Sequence, residues 1–192
     1  MRTIHFAAAT ALALASAPAS AEPYVLDKSH AVISFTVDHL GFSSTKGVFQ
    51  EFDAEISFDP EAVEDSSVRF VIQAASVNTF WPARDKHIRD ADFLHVEEYP
   101  EIVFVSTKIT PAGGETAKIE GDLTIRGETR PMVFEATLNK IGPSPFDPSK
   151  TIAGFDITGV IDRTDFGINY AAPAVGTEIP VTISLEMSPA SS

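Results

Sequence analysis

Almost everything after Tyr24 places apolar residues at every second position. In AVISFTVDHL, Ile33, Phe35, Val37 and His39 alternate with Val32, Ser34, Thr36 and Asp38. GVFQEFDAEISFD sets Val48, Phe52, Ala54, Ile56 and Phe58 against Phe49, Glu51, Asp53, Glu55 and Ser57, with Gln50 as the one polar residue on the apolar side. VRFVIQA puts Val68, Phe70 and Ile72 on one face and Arg69 and Gln73 on the other. Successive side chains of a strand point to opposite faces, so this is the pattern of half-buried antiparallel strands. It continues in EIVFVSTKI, AKIEGDLTIRG, RPMVFEATLNKI, IAGFDITGVIDR and EIPVTISLEM, the two middle runs being separated by the hairpin signal Gly127–Thr129. Long, evenly spaced, alternating strands favour a closed up-and-down barrel over a stacked sandwich. The expected fold is all-β: an extended eight-stranded antiparallel barrel with one short helix near residues 82–94. Ile141–Lys150 reads as a Pro-rich loop within the domain.

The helix falls on PARDKHIRDADFL. Pro82 suits a first helical position, with Ser76, Asn78 or Thr79 upstream for entry. Ile88, Ala91 and Leu94 form a thin apolar stripe, and Asp85–Arg89 and Lys86–Asp90 are opposite charges at i,i+4. Much of this charge, at Lys86, Arg89 and Asp90, reads equally well as a solvated helix face.

The first residues read as an export signal spanning 1–21: a basic start at Arg2, the short apolar run Phe6–Ala19 and small residues at Ala19-Ser20-Ala21. The run is too short and too well punctuated for an anchoring span. A single domain over 22–192, exported to a periplasm, is expected. The chain carries a formal net charge of −13. That excludes the basic footprint nucleic acid requires, and it disfavours tight docking on anionic lipid. Stable membrane insertion is not expected. With no cysteine, disulfides, thiolate metal sites and a cysteine nucleophile are all excluded.

Catalytic patterns are weak. His87 and His95 lie eight residues apart, about 12 Å along a helix axis, too far to share one ion. A metal-dependent hydrolase would have to gather His39, His87, Asp85 and Asp92 from separate elements. There is no Gly-x-Ser-x-Gly elbow and no phosphate-cradling glycine loop opening a helix. No enzyme activity, metal or cofactor is expected. The chain holds 14 Phe, many at alternating strand positions. Such rings either fill a small barrel or line a bore for a long apolar ligand, and periodicity alone leaves both open.

SHAVISFTVDHLGFSSTKGVFQEFDAEISFD, RDKHIRDADF, YPEIVFVS, GDLTIRGETRPM and IDRTDFGI occur in the order seen in YceI-like proteins, which the chain resembles from about Tyr24 to Met187. The family's Thr followed by Arg-Asp-x-His-Leu is met by Thr79, Arg84, Asp85 and His87, with Ile88 for the Leu. Thr164 stands where Ser is usual in the second position of Arg163–Gly167, and FWPA before Arg84 is bulkier than the family pattern. The resemblance implies an exported lipocalin-like barrel that binds, stores or transports a long-chain isoprenoid, quinone or related amphiphile, without catalysis. For many members it also implies a homodimer. A ligand-free envelope stress protein is a further alternative. On this reading Ile33, Phe35, Val37, Phe52, Ile56, Phe70, Ile72, Phe93, Phe104, Leu123, Phe134 and Phe155 line the bore. The helix caps it with Ile88, Ala91 and Leu94. His39, Thr79, Arg84, Asp85 and His87 form a polar mouth, with Arg84 and Asp85 as an ion pair where bore meets water.

Overall fold

The computed structural model describes residues 21–190. The expected export signal therefore lies, Ala21 apart, outside the described residues. Strands β1 (Glu22–His39), β2 (Ser43–Phe49), β3 (Phe52–Phe58), β4 (Ser67–Gln73) and β5 (Val77–Asn78) precede helix α1 (Pro82–Arg89). After it come β6 (Glu101–Gly113), β7 (Thr116–Ile125), β8 (Glu128–Pro143), β9 (Thr151–Asp162) and β10 (Glu178–Pro189). Each strand hydrogen-bonds antiparallel to its neighbours in the order β10-β9-β8-β7-β6-β4-β3-β1, and β1 returns to β10. Because β2 continues into β3 and β4 into β5, the ten segments form a closed eight-stranded barrel.

Three of the long runs break at one level. Asp27 faces Glu186, but the next partners are Val32 and Ser184, so Lys28–Ala31 bulge out of β1. Gln50 and Glu51 interrupt β2 and β3, and a 3₁₀ turn at Ala74–Ser76 separates β4 from β5. The breaks lie side by side. Lys28 Nζ meets Asp53 at 2.7 Å, and Gln50 N donates to the Ser76 carbonyl at 3.2 Å. Each shifts the side-chain phase by one, which exchanges the inner and outer faces. Inward residues change from Tyr24 and Leu26 to Ile33, Phe35 and Val37 along β1. Along β2 and β3 the break corrects the unbroken reading of GVFQEFDAEISFD. Phe49 points inward, and Val48 lines a shallow hollow outside the bore.

The helix is shorter than expected. Pro82 opens it after an extended Trp81, but Asp90 leaves helical geometry at ψ 173°, so α1 ends at Arg89. The chain then turns back, with Leu94 N bonded to the Ile88 carbonyl at 3.0 Å, and returns Phe93 and Leu94 to the bore. Ala91 is exposed and caps nothing. The expected i,i+4 pairs do not form. Arg89 instead donates to the carbonyls of Ala75 at 2.7 Å and Val77 at 2.6 Å, riveting α1 to β5. Among the described residues no ion pair joins Lys86 to Asp90.

The β7–β8 hairpin is tighter than Gly127–Thr129 suggests. Its loop is Arg126-Gly127, both with positive φ (52° and 74°), the turn whose twist matches paired strands. The Arg126 guanidinium donates to the Phe93 carbonyl at 2.9 Å, which ties this hairpin to the segment after α1.

Candidate ligand-binding bore

The inward faces enclose a cavity of about 470 Å³, within the range typical of small-molecule sites. Its wall is almost entirely aliphatic and aromatic through the middle. Polar lining residues collect at the two ends. Ser57, Ser66 and Ser67 stand at one, and His39, Thr45, Thr79, Arg84, His87 and Arg163 at the other. At the first end Tyr24 meets Phe58 edge-on at 5.3 Å, Phe58 meets Phe155 at 5.5 Å, and buried Leu185 and Met187 pack with them. Exposed Ser67 lines the first end, and exposed His39 and Arg84 line the second, where more polar groups gather. We call this end the mouth.

Of the twelve apolar lining residues expected from sequence, Ile33, Phe35, Val37, Ile56, Phe70, Ile72, Phe93, Phe104, Leu123, Phe134 and Phe155 all face the cavity. Phe52, paired with inward-facing Ile72, shares its side of the sheet but is not part of the cavity lining. It follows the Gln50–Glu51 break directly, stacks on Phe70 at 6.0 Å, packs against the core there and borders the hollow beside the break. Phe49, on the other side of the break, lines the cavity and packs against Phe35 at 5.5 Å. Ile157, Val181, Ile183 and Leu185 also line the bore. Their alternation is visible in the sequence, but a reading weighted toward rings passes over such aliphatics.

The mouth is wired differently from the Arg84–Asp85 pair expected. Thr79 stands between the two. Its amide donates to Asp85 Oδ1 at 2.8 Å, and its hydroxyl donates to the same oxygen. Arg84 donates to the Thr79 hydroxyl oxygen at 2.7 Å and to the Thr79 carbonyl at 2.6 Å. Asp85 is thus buried behind Thr79 and faces away from the cavity, whereas Arg84, Thr79, His39 and His87 line it. His87 stacks edge-on against Phe93 and Tyr170, each at 5.0 Å, and its Nε2 meets Asp92 Oδ2 at 3.0 Å.

Arg163 carries the loop that supplies Tyr170. It is buried, and its guanidinium donates to the carbonyls of Gly176 (2.9 Å), Ile168 (2.6 Å) and Val175 (2.9 Å). Burial pushes its pKa down, opposed by the neighbouring Asp162. The loop docks on the β1 hairpin through Gly176 N and the Asp38 carbonyl at 2.9 Å. Neither Arg163 nor Tyr170 is a candidate from sequence. Arg163 lies inside IDRTDFGI with no signal of its role, and Tyr170 has no periodic signal at all.

The hydrolase constellation does not assemble. Asp85 is committed to Thr79, and His39, His87, Asp85 and Asp92 form no group of ligand atoms. Among the described residues the group close enough to share an ion is Asp27, His30 and Glu186, at the β1 bulge and outside the bore.

The family model for the YceI-like domain matches residues 24–187. The chain belongs to the YceI-like family. A relative, the UPF0312 protein of Pseudomonas savastanoi pv. phaseolicola, is 41% identical over 175 residues, covering 90% of each chain. Among solved structures, BcnA of Burkholderia cenocepacia superposes with a TM-score of 0.76 over 84% of this chain and 98% of its own, at 24% identity. A polyisoprenoid binding domain from Saccharophagus degradans superposes with a TM-score of 0.63 over 88% and 99%, at 14% identity. Both likenesses are of fold. In this YceI-like chain, the eight-stranded barrel and its short helix are those of the family.

Proposed function

We propose that this chain binds a long-chain isoprenoid lipid, a polyprenyl or quinone-like amphiphile, in the barrel interior, and stores or transports it in a periplasm without catalysing a reaction. The carrying observation is the bore: a continuous apolar cavity open at a polar mouth, where a small barrel could have been filled by side chains. Burial of each CH₂ is worth about 0.8 kcal/mol, so a long tail is held without any cofactor. At the mouth the guanidinium of Arg84 and the ring of His87 line the cavity for a head group, while Thr79 spends its amide and hydroxyl donors on Asp85. The superposable polyisoprenoid binding domain supports the ligand class, and the export signal read in residues 1–21 supports the compartment. No helix among the described residues is long and apolar enough to cross a membrane.

Purified, exported protein extracted with organic solvent should yield about one isoprenoid lipid per chain by mass spectrometry, the stoichiometry a single enclosed bore allows. Protein that never retains lipid, and whose interior also rejects apolar fluorescent probes, would instead be the ligand-free envelope protein.

A further inference from the structure

Three loops at the mouth expose large apolar side chains. On the β1–β2 hairpin Phe42 is 88% exposed and Leu40 46%; before α1, Phe80 is 70% and Trp81 62%; after β9, Tyr170 is 48%. Topology puts all three at one end, because β1, β5 and β9 finish there. They surround the opening: His39, Thr79, Arg84 and Val175, which line the cavity, alternate in sequence with these tips. A protein exposing so much aromatic surface in one ring ordinarily covers it.

Two further observations concern the same tips. In a chain of net charge −13, the segments 40–45, 73–83 and 168–177 contain no Asp, Glu, Lys, Arg or His. The backbone there also adopts left-handed geometry with side chains that disfavour it: Leu40 at φ 59°, Phe80 at 65° and Ala171 at 53°. Exposed Arg84 and Lys86 on the first turns of α1 flank the ring as cations.

We propose that this ring docks the mouth on a phospholipid bilayer surface, with Phe42, Phe80, Trp81 and Tyr170 at the boundary between head groups and acyl chains. Trp and Tyr favour that boundary, and the flanking cations match lipid phosphates. A second copy fits less well. Face-to-face pairing would seal both bores. The charge-free tips let an acidic protein approach the membrane, and its overall charge predicts weaker docking as anionic lipid is added. The docking rests on the reading of the bore as a lipid site, since it gives the tail a path that avoids water.

Trp81 is the one tryptophan of the chain, so its fluorescence reports this ring alone. With the full exported chain and phosphatidylcholine vesicles, its emission should shift to the blue and be quenched by brominated acyl chains. Co-sedimentation should fall about tenfold for each of Phe42→Asp and Phe80→Asp, which remove one buried aromatic apiece from the contact. Both residues are solvent-facing, and unchanged far-ultraviolet dichroism will verify folding. An unshifted emission with no co-sedimentation overturns the docking. So does a shift that needs only higher protein concentration and tracks dimers in sedimentation, which would identify a second copy as the occupant. Extractable isoprenoid without vesicle binding sinks the docking and leaves the bore reading standing. Vesicle binding without extractable lipid supports the docking and sinks the bore reading.

Discussion

The Phe134 ring covers Gly159, one step along from the paired Glu135 and Thr158 of β8 and β9, and a β-carbon built on that glycine would sit 2.5 Å from the ring. Phe35 covers its cross-strand partner Gly47 in the same way, at 2.3 Å. In each pair the missing side chain lets a ring fold back against the wall, and the bore stays open where the rings would otherwise fill it. Gly159→Ala should therefore push Phe134 toward the axis. We expect a loss of about 1–3 kcal/mol, typical of overpacking, and reduced bound lipid. Adding Phe134→Leu should restore much of both. Calorimetry and lipid stoichiometry on the single and double variants decide this, and strictly additive effects would sink it.

Thr79 joins Arg84 to Asp85, so the three should behave as one unit. Thr79→Val removes a donor from a buried carboxylate and an acceptor from a guanidinium. It should cost about 2–3 kcal/mol, the penalty of leaving buried polar groups unpaired. Thr79→Ser should be mild. In denaturant unfolding, the combined Arg84→Ala and Asp85→Asn substitutions should cost less than the sum of the two alone. Near-zero effects throughout would make this cluster ordinary surface.

Arg163→Met should release the 163–177 loop by leaving three carbonyls without their donor. The expected cost is about 3 kcal/mol, as for removal of a buried charged hydrogen-bonding partner. The loss should be local first. Hydrogen exchange should rise at Ile168, Val175 and Gly176 before it rises in β6 or β7, and uniform acceleration would contradict the assignment.

The bulge that closes β1 on β10 is sensitive to pH from both sides. The Ser29 hydroxyl (2.6 Å), then the His30 ring (2.9 Å), hold the Asp27 carboxyl down to about 2, and the same contact raises His30. Asp27's contribution is complete above its ordinary value of 3.8 and is lost as pH falls through about 2. His30's is complete below its ordinary 6.5 and is lost as pH rises through its elevated value. The pair is therefore most favourable between those ordinary values. NMR titration should find Asp27 near 2, and Ser29→Ala should raise it. An Asp27 already titrating at 3.8 would remove the effect.

The wall of the barrel is legible in the residue order, because strand periodicity is local: Ile33, Phe35, Val37, Phe70 and Ile72 face inward wherever their strand runs unbroken. The periodic reading fails at Val48 and Phe49, just ahead of Gln50, where Phe49 lines the bore and Val48 the hollow outside it. Gln50 stands out in the sequence as a polar intruder. What it marks is a break that exchanges faces, and its amide finds its partner at Ser76, on a neighbouring run.

Sequence by itself determined the all-β class, the eight strands, the short helix at Pro82 and the apolar character of the interior, since each follows from residue order over a few positions. Only tertiary structure decided that Thr79 stands between Arg84 and Asp85, that Arg89 serves the Ala75 and Val77 carbonyls in place of Asp85, and that the bore is open beneath Phe134 and Phe35. Those outcomes depend on which groups from distant segments arrive within about 3 Å of one another, the reach of a hydrogen bond. A barrel's register brings them together, and no local spacing encodes that distance.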